Sequence, residues 1–216
     1  PFDSTITAVE QSNYVTRLYI TLLNRKPSAT EAETVLAQLQ IDPYDKAIRS
    51  AIVANLQSES EATFVLFQSL CNRYLDGVDT AEIRQDRDYY QYKSNNANNQ
   101  SSQSYYQNLA DRMGNLHMVP YWLGWGTVSY DDVQTFIVDN SIYDAINMGT
   151  ENFCVSLFQN YYMRYPTMVE LDEAKAMMNS KAGLLFGLNG DSKSDLLTIF
   201  FAQNEYRQGL IQGLFQ

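Results

Sequence analysis

Hydrophobic residues recur at helical spacing along most of the chain, and one arrangement of them occurs near both ends. Residues 18–31 and 157–170 share the pattern L-[FY]-x-x-[LY]-[LY]-x-R-x-P-[ST]-x-x-E. Positions −3, 0, +1 and +4 from the first leucine fall within one arc of about 100° on a helix, which predicts a buried stripe. Residues 66–73 form a partial third copy that keeps the helical spacing and the arginine but lacks the proline.

Each full copy of the pattern predicts a helix, a tight corner and a second helix. The arginine follows the apolar stripe, where it can bond the free carbonyls at the helix C-terminus. A proline two residues later ends the helix, because the residue before proline is disfavoured in the α conformation. A serine or threonine then caps the next helix, and a glutamate three residues on completes a capping box. These corner-motif residues are Arg25, Pro27 and Glu31, Arg73 in the partial copy, and Arg164, Pro166 and Glu170. We interpret the arginines as capping and hinge residues, with contact to a ligand or partner as the alternative.

The recurring corner predicts an all-α protein built from duplicated helical-hairpin units that form a bundle or array. Residues 1–78 are predicted to form the first repeat unit and residues 151–216 the second. Residues 79–150 are expected to be an aromatic-rich insertion between them. The second repeat unit is slightly longer than the first, and residues 183–190 are the simplest place for the extra length.

Two segments of the predicted insertion have an unusual composition. Residues 93–104, KSNNANNQSSQS, are polar and of low complexity, so we expect a mobile loop there. Residues 118–130 hold both tryptophans among proline, glycine and tyrosine, which predicts an ordered loop. Their rings either pack in the junction between repeat units or form an exposed surface for a sugar or a partner protein. The candidate binding residues are Tyr121, Trp122, Trp125 and Tyr130.

The corner pattern also carries a family resemblance. In both copies a further helix follows, and it ends near Ser58-Glu59 or Asn204-Glu205-Tyr206. This combination resembles the small helical modules of phycobilisome linker-type domains and of several bacterial cell-surface families of unknown function. Characterised modules of that kind are structural or assembly units without catalytic residues, so the resemblance implies a scaffold. Phycobilisome linkers tend to be basic and this chain is acidic, so pigment-protein binding is not carried over.

Composition narrows the range of partners. Fifteen basic and 25 acidic residues give a net charge of −10, which opposes binding to nucleic acid or to an anionic membrane surface. No apolar run reaches the roughly 18 residues of a transmembrane helix. Plentiful tyrosine, asparagine, glutamine and serine are typical of exported bacterial proteins, so we expect an extracytoplasmic location in the periplasm, at the outer membrane or on the cell surface. Residues 214–216 repeat 66–68, so the sequence stops where a further copy of the motif would start. We expect either that the native chain is longer or that the last helix caps the array.

Residues suited to catalysis or metal binding do not form a recognisable motif. His117 is the single histidine and has no partner motif, so no catalytic residue and no cofactor is predicted. Asp139, Asn140, Asp144 and Asn147 carry oxygen ligands but lack the spacing of a calcium loop, so no metal site is predicted. Cys71 and Cys154 are predicted to be core thiols, with one disulfide as the alternative.

The patterns together predict a protein that is not an enzyme. We expect a structural or assembly module of a bacterial envelope or extracellular complex that binds another protein. The alternative is a carbohydrate- or small-ligand-binding module that uses the exposed tryptophan and tyrosine rings of residues 118–130. No nucleic-acid partner and no membrane span are expected.

Overall fold

The computed structural model describes residues 6–203, which fold almost entirely as helices. The all-α prediction is confirmed, since only one short two-stranded sheet accompanies eleven helices within this range. The elements are α1 (Ala8–Leu23), α2 (Ala29–Leu39), α3 (Lys46–Gln57), α4 (Ser60–Tyr74), α5 (Thr80–Asn95), α6 (Gln100–Trp125), α7 (Tyr130–Val138), α8 (Ser141–Ile146), α9 (Thr150–Tyr162), α10 (Met168–Met178), β1 (Gly183–Leu185), β2 (Leu188–Gly190) and α11 (Lys193–Phe201). Among the described helices, none is both long and apolar enough to cross a membrane.

The described chain divides into two compact units. Unit 1 contains the residues up to Asp79 together with His117–Val128, and unit 2 contains Thr80–Leu116 together with the residues from Ser129 onward. Residues 79–150, the predicted insertion, contribute to both units. The duplication of the helical hairpins stays a prediction, although the two corners have the same local geometry, as described below.

Unit 1 is a bundle in which α1 packs against α2, α3 and α4. Its core cluster consists of Val15, Tyr19, Leu23, Val35, Leu39, Ile52 and Leu56. In α4 the buried stripe is Phe67, Leu70, Cys71 and Tyr74, a regular i, i+3, i+4, i+7 series. Leu66, which the sequence pattern assigned to this stripe, lies beside it and is 42% exposed.

Unit 2 has an aromatic core around α9 and α11. The rings of Tyr162 and Phe200 are stacked with centroids 4.1 Å apart, and Phe158 meets Phe200 edge-on at 5.2 Å. The Tyr162 hydroxyl donates a hydrogen bond of 2.6 Å to the backbone carbonyl of Phe200. A buried phenol thus keeps its polar end satisfied while its ring fills the core.

A small β-hairpin follows α10 and occupies the position where the sequence placed the extra length of the second repeat unit. Its strands pair antiparallel, and the turn residues Phe186 and Gly187 both have positive φ, as in a type I′ turn. Gly183 lies so close to α10 that a Cβ atom would come within 2.7 Å of the Glu173 carbonyl oxygen. The Glu173 carboxylate accepts a 2.6 Å hydrogen bond from the Leu184 N–H, which holds the hairpin on the helix.

The prediction of a mobile loop over residues 93–104 is wrong, because only residues 96–99 separate α5 from α6. The polar side chains bond one another across the two helices. Gln91 and Gln107 exchange amide hydrogen bonds of 3.0 and 3.3 Å, and the buried Ser94 hydroxyl donates to the carbonyl of Gln103. The Asn99 side chain accepts from the N–H of Ser102 and so caps the start of α6.

The prediction of an ordered loop over residues 118–130 is also wrong, since α6 continues to Trp125 and contains Pro120. Proline has no N–H, so the carbonyl of Leu116 lacks its helical donor at this point. Burial of the apolar stripe compensates for the missing hydrogen bond, because Met113, Leu116 and Val119 follow helical spacing and are fully buried. The helix ends only at Gly126, which has a positive φ.

Candidate functional site

Three aromatic side chains of unit 1 lie together at the end of α6 and on α4. The ring of Phe64 meets Tyr121 edge-on, with centroids 5.1 Å apart, and Tyr121 lies 6.3 Å from Trp125, one helical turn further on. Trp125 is 65% exposed and Tyr121 is 38% exposed. We call Phe64, Tyr121 and Trp125 the aromatic surface. It presents an indole and a phenol edge to solvent beside a half-buried phenylalanine.

Trp122 and Tyr130 are the other two predicted binding residues. Trp122 is half-buried, and its carbonyl accepts the Thr127 N–H at 3.0 Å and so helps to end α6. Tyr130 is exposed but is the first residue of α7 in unit 2. The half-buried ring of His117 lies 6.0 Å from that of Tyr121, so the single histidine borders the aromatic surface. The structure therefore brings together Tyr121 and Trp125 and adds Phe64 to them.

A groove beside α4 is the second notable feature of unit 1. It has a volume of about 310 Å³ and no charged lining residue. The lining residues are Thr21, Leu22, Gln57, Ala62, Thr63, Val65, Leu66 and Ser69. We call it the uncharged groove. The Thr63 side chain also lies 3.7 Å from the position a Cβ atom would take on Gly124, so the groove adjoins the end of α6.

The two full corner motifs close with the same hydrogen bonds. Arg25 makes a two-pronged contact with Glu31 at 2.9 and 2.7 Å, and Arg164 does the same with Glu170 at 2.8 and 2.6 Å. Each glutamate also completes its predicted capping box, which is confirmed with Ser28 and Thr167 as the caps. Each arginine bonds a backbone carbonyl of the corner as well, that of the residue following it. The corner arginines therefore have a structural role, and we call each pair of an arginine and its capping glutamate a clasp. The sequence analysis did not predict this pairing.

The electrostatic state of the clasps follows from these bonds. Hydrogen bonds from the arginine, followed by contributions from the capping residue, lower the pKa of both Glu31 and Glu170 to about 2. Pro27 and Pro166 each precede the cap residue of the second helix. In the partial copy, the guanidinium of Arg73 lies over the ring of Tyr74 at 5.2 Å, in the last turn of α4.

Asp139 and Asp144, two of the residues considered as calcium ligands, form ion pairs with basic side chains of unit 2. Arg112 contacts Asp144 at 2.6 Å and Asp139 at 3.0 Å, and Lys193 contacts both carboxylates at 2.9 Å. Asn140 is fully buried, and its side chain caps α8. Two positive and two negative side chains thus neutralise one another. Within residues 6–203, no group of three or more histidine, cysteine or acidic residues could hold a metal ion.

The cysteines are buried, as the core-thiol interpretation predicts. Cys71 and Cys154 are both free and both fully buried. Burial raises the pKa of each thiol to about 12, so both are protonated at neutral pH. Because the thiolate is the reactive form, neither side chain is a suitable nucleophile.

Comparison of the chain with models of known protein families, with curated protein sequences and with solved structures finds no match. The physical properties of the surfaces described above are therefore the basis for a functional proposal.

Proposed function

We propose that this protein is a non-catalytic structural or assembly module, part of a bacterial envelope or extracellular complex, and that it binds another protein through the aromatic surface. The observation that carries the proposal is the exposure of Trp125, at 65%, next to the exposed ring of Tyr121. Tryptophan and tyrosine are the residues most enriched at the energetic centres of protein interfaces.

The size of the expected effect is large for a single side chain. A tryptophan buries about 200 Å² when fully covered. At about 25 cal/mol per Å², covering the exposed part of Trp125 would contribute about 3 kcal/mol to association. The uncharged groove adjoins the same end of α6, so a partner that covers the ring meets further surface without charged side chains.

Three further observations support the non-catalytic part of the proposal. The corner motif resembles modules that serve as scaffolds, the thiols are held in their unreactive form, and the clustered carboxylates of unit 2 are neutralised by Arg112 and Lys193. The net charge of −10 opposes a nucleic-acid partner. The plentiful tyrosine, asparagine, glutamine and serine favour an extracytoplasmic complex.

The proposal is tested by isolating the tagged protein from its native source under mild conditions and measuring the mass of the complex. The wild-type chain should be recovered with a stoichiometric partner, and Trp125→Ala should release that partner while the circular dichroism spectrum stays helical. Tyr105→Ala is the matched control, because Tyr105 is an equally exposed ring, at 61%, in unit 2. Recovery of the tagged wild-type chain alone, at its monomer mass, would contradict the assembly role. Retention of the partner by Trp125→Ala would contradict the aromatic surface as its binding site.

Carbohydrate binding is the second candidate, and the exposed indole of Trp125 favours it. The rings of Tyr121 and Trp125 are tilted by 44°, so they do not form one flat platform for a sugar face. The Trp122→Phe variant leaves Trp125 as the one tryptophan of the chain. Saturable quenching of its fluorescence by a glycan would favour the sugar-binding function over the protein-binding one.

A further inference from the structure

A groove on unit 1 is lined by two basic side chains and, among the described residues, by no acidic one. It has a volume of about 450 Å³ and is formed by residues of α1 and α3. Its polar lining residues are Tyr14, Lys46, Arg49, Ser50 and Gln57, and we call these five residues the basic groove. Lys46 and Arg49 are one turn apart on the same face of α3. This arrangement departs from the balance of the whole chain, which has 25 acidic and 15 basic residues.

The polar side chains of the basic groove make few contacts within the protein. Within the described chain they form a single side-chain hydrogen bond, in which Nη2 of Arg49 donates to the Tyr44 carbonyl at 3.1 Å. In the same part of the chain, neither Lys46 nor Arg49 forms an ion pair, whereas Arg112 and Arg164 are both paired with carboxylates. The basic groove thus keeps most of its hydrogen-bond donors available to a ligand.

The two acidic residues just before α3 bond to the backbone. The Asp42 carboxylate accepts the N–H of Tyr44 at 2.9 Å, and the Asp45 carboxylate accepts the N–H of Ala47 at 2.7 Å as the cap of α3. Neither carboxylate lines the basic groove. A ligand that brings a negative charge would therefore complement the two basic side chains.

A second pocket meets the basic groove at Tyr14 and Arg49, which line both. We call it the adjoining pocket, and its volume is about 270 Å³. Its apolar walls are Ile6, Leu39 and Pro43. Glu10 also lines it, but Oε2 of Glu10 already accepts the N–H and the hydroxyl of Thr7, both at 2.8 Å, in the cap of α1. Binding sites for small organic molecules combine apolar walls with a few polar groups, and the two cavities together have that composition.

We propose that the basic groove and the adjoining pocket form a binding site for an organic carboxylate with an apolar body. The carboxylate accepts hydrogen bonds from Arg49, whose planar guanidinium matches its shape, and from Lys46. The apolar body occupies the adjoining pocket, where it is removed from water. This inference goes beyond the proposed function, because it concerns a small ligand and does not require the aromatic surface to bind a partner.

Titration of the ¹⁵N-labelled protein with octanoate, followed by NMR, tests the proposal. Saturable shifts of amide resonances should appear in α3 and at the start of α1, with a dissociation constant of about 1 mM. Octanamide has the same length without the charge and should bind about tenfold more weakly. In the series butanoate, hexanoate and octanoate, each methylene that enters the adjoining pocket should strengthen binding about fourfold.

Three variants assign the charge to its residues. Arg49→Gln should weaken octanoate binding about tenfold, because Arg49 is half-buried, and Lys46→Gln about threefold, because Lys46 is exposed. The double variant should bind octanoate no more tightly than octanamide. Lys26→Gln is the matched control, since Lys26 is an exposed lysine of unit 1 outside both cavities, and it should leave the affinity unchanged. Circular dichroism confirms that each variant is folded.

Several results would overturn the proposal. They are the absence of saturable shifts up to about 10 mM octanoate, shifts that lie mainly on other surfaces, equal affinity for octanamide, or unchanged affinity in the double variant. Shifts caused by an oligoglutamate peptide but not by octanoate would also overturn it, in favour of an acidic protein segment as the occupant. Trp125→Ala should bind octanoate like the wild type, so failure of this inference and failure of the proposed function are seen in different variants.

Discussion

The clasps of the two corners have the same hydrogen bonds but different surroundings. Arg25 is 37% exposed, lies over the ring of Tyr19 at 5.4 Å and also binds Glu61 at 2.7 Å. Arg164 lies over the rings of Phe158 and Tyr162, at 5.0 and 5.6 Å, and its partner Glu170 is only 17% exposed. The two clasps thus share a geometry that follows from residue spacing, and they differ in how much solvent reaches the carboxylate, since Glu31 is 35% and Glu170 17% exposed.

The largest difference between the corners is expected from removing the carboxylate charge. Glu170→Gln should lower the free energy of unfolding by about 2 kcal/mol, because it weakens charge-assisted hydrogen bonds in a partly desolvated site. Glu31→Gln should cost less, since solvent screens the clasp of unit 1. Urea denaturation of both variants measures the difference. Equal losses would show that the lower exposure of the clasp in unit 2 has no effect on its contribution.

Exchanging the residues that end α1 and α9 sharpens the comparison. Met163→Asn should raise the free energy of unfolding by about 1 kcal/mol, because asparagine is better tolerated at the positive φ of this position. Asn24→Met should lower it for the same reason. The measurement is thermal or chemical unfolding of dilute protein. A loss of stability in Met163→Asn would mean that the Met163 side chain makes a necessary contact within its own chain.

Acidification should act on both clasps in the same direction. The pKa of Glu31 and of Glu170 falls from 4.5 to about 2 on folding, because the arginine stabilises the charged form. The stabilisation is therefore complete above pH 4.5 and is lost as the pH falls towards about 2. Titration of the carboxyl carbon resonances by NMR should give midpoints near 2 for both. Midpoints near 4.5 would mean that the clasps are open in solution.

The smallest effect is expected from the extra partner of Arg25. Glu61→Gln removes an ion pair in which the side chains are 37% and 49% exposed, and such pairs contribute little. No measurable change in the unfolding midpoint is expected, and Arg25 should keep its contact with Glu31. A clear destabilisation would show that the clasp of unit 1 depends on α4 as well as on its own corner.

The corners could be predicted from the sequence because all their determinants lie within fourteen consecutive residues. Helical spacing, the proline and the capping box are local signals, and the structure confirms the helices and the caps. The pairing of Arg25 with Glu31 was missed, because the left-handed residue at Asn24 turns the arginine towards the next helix. That conformation follows from the three-dimensional corner and is not apparent in the spacing.

The middle of the chain was predicted less well because composition was a misleading guide there. Ser94 and Gln103 lie in the predicted loop of residues 93–104, yet the Ser94 hydroxyl donates a hydrogen bond to the Gln103 carbonyl between α5 and α6. Pro120 suggested a loop, but the buried stripe that reaches Val119 carries the helix past it. The three-residue strands beside Phe186 and Gly187 are too short to show an alternating pattern.

For the candidate site, the proximity of Tyr121 and Trp125 follows from their four-residue spacing once the segment is recognised as helical. Phe64 could not be found in this way. It reaches the site only because α4 packs beside the end of α6 within unit 1, and no local pattern links two segments so far apart in the sequence.

The division of α6 between the units has a consequence for synthesis of the chain. Unit 1 includes His117–Val128, so part of it is still missing when Asp79 leaves the ribosome. At a synthesis rate of about 5–20 residues per second, roughly 2–10 s pass between the synthesis of α4 and that of the segment that completes unit 1. During that interval Phe64 has no Tyr121 to pack against. A nascent or recombinant fragment that ends at Asp79 therefore lacks part of its own unit, and fusing His117–Val128 to such a fragment is the way to supply it.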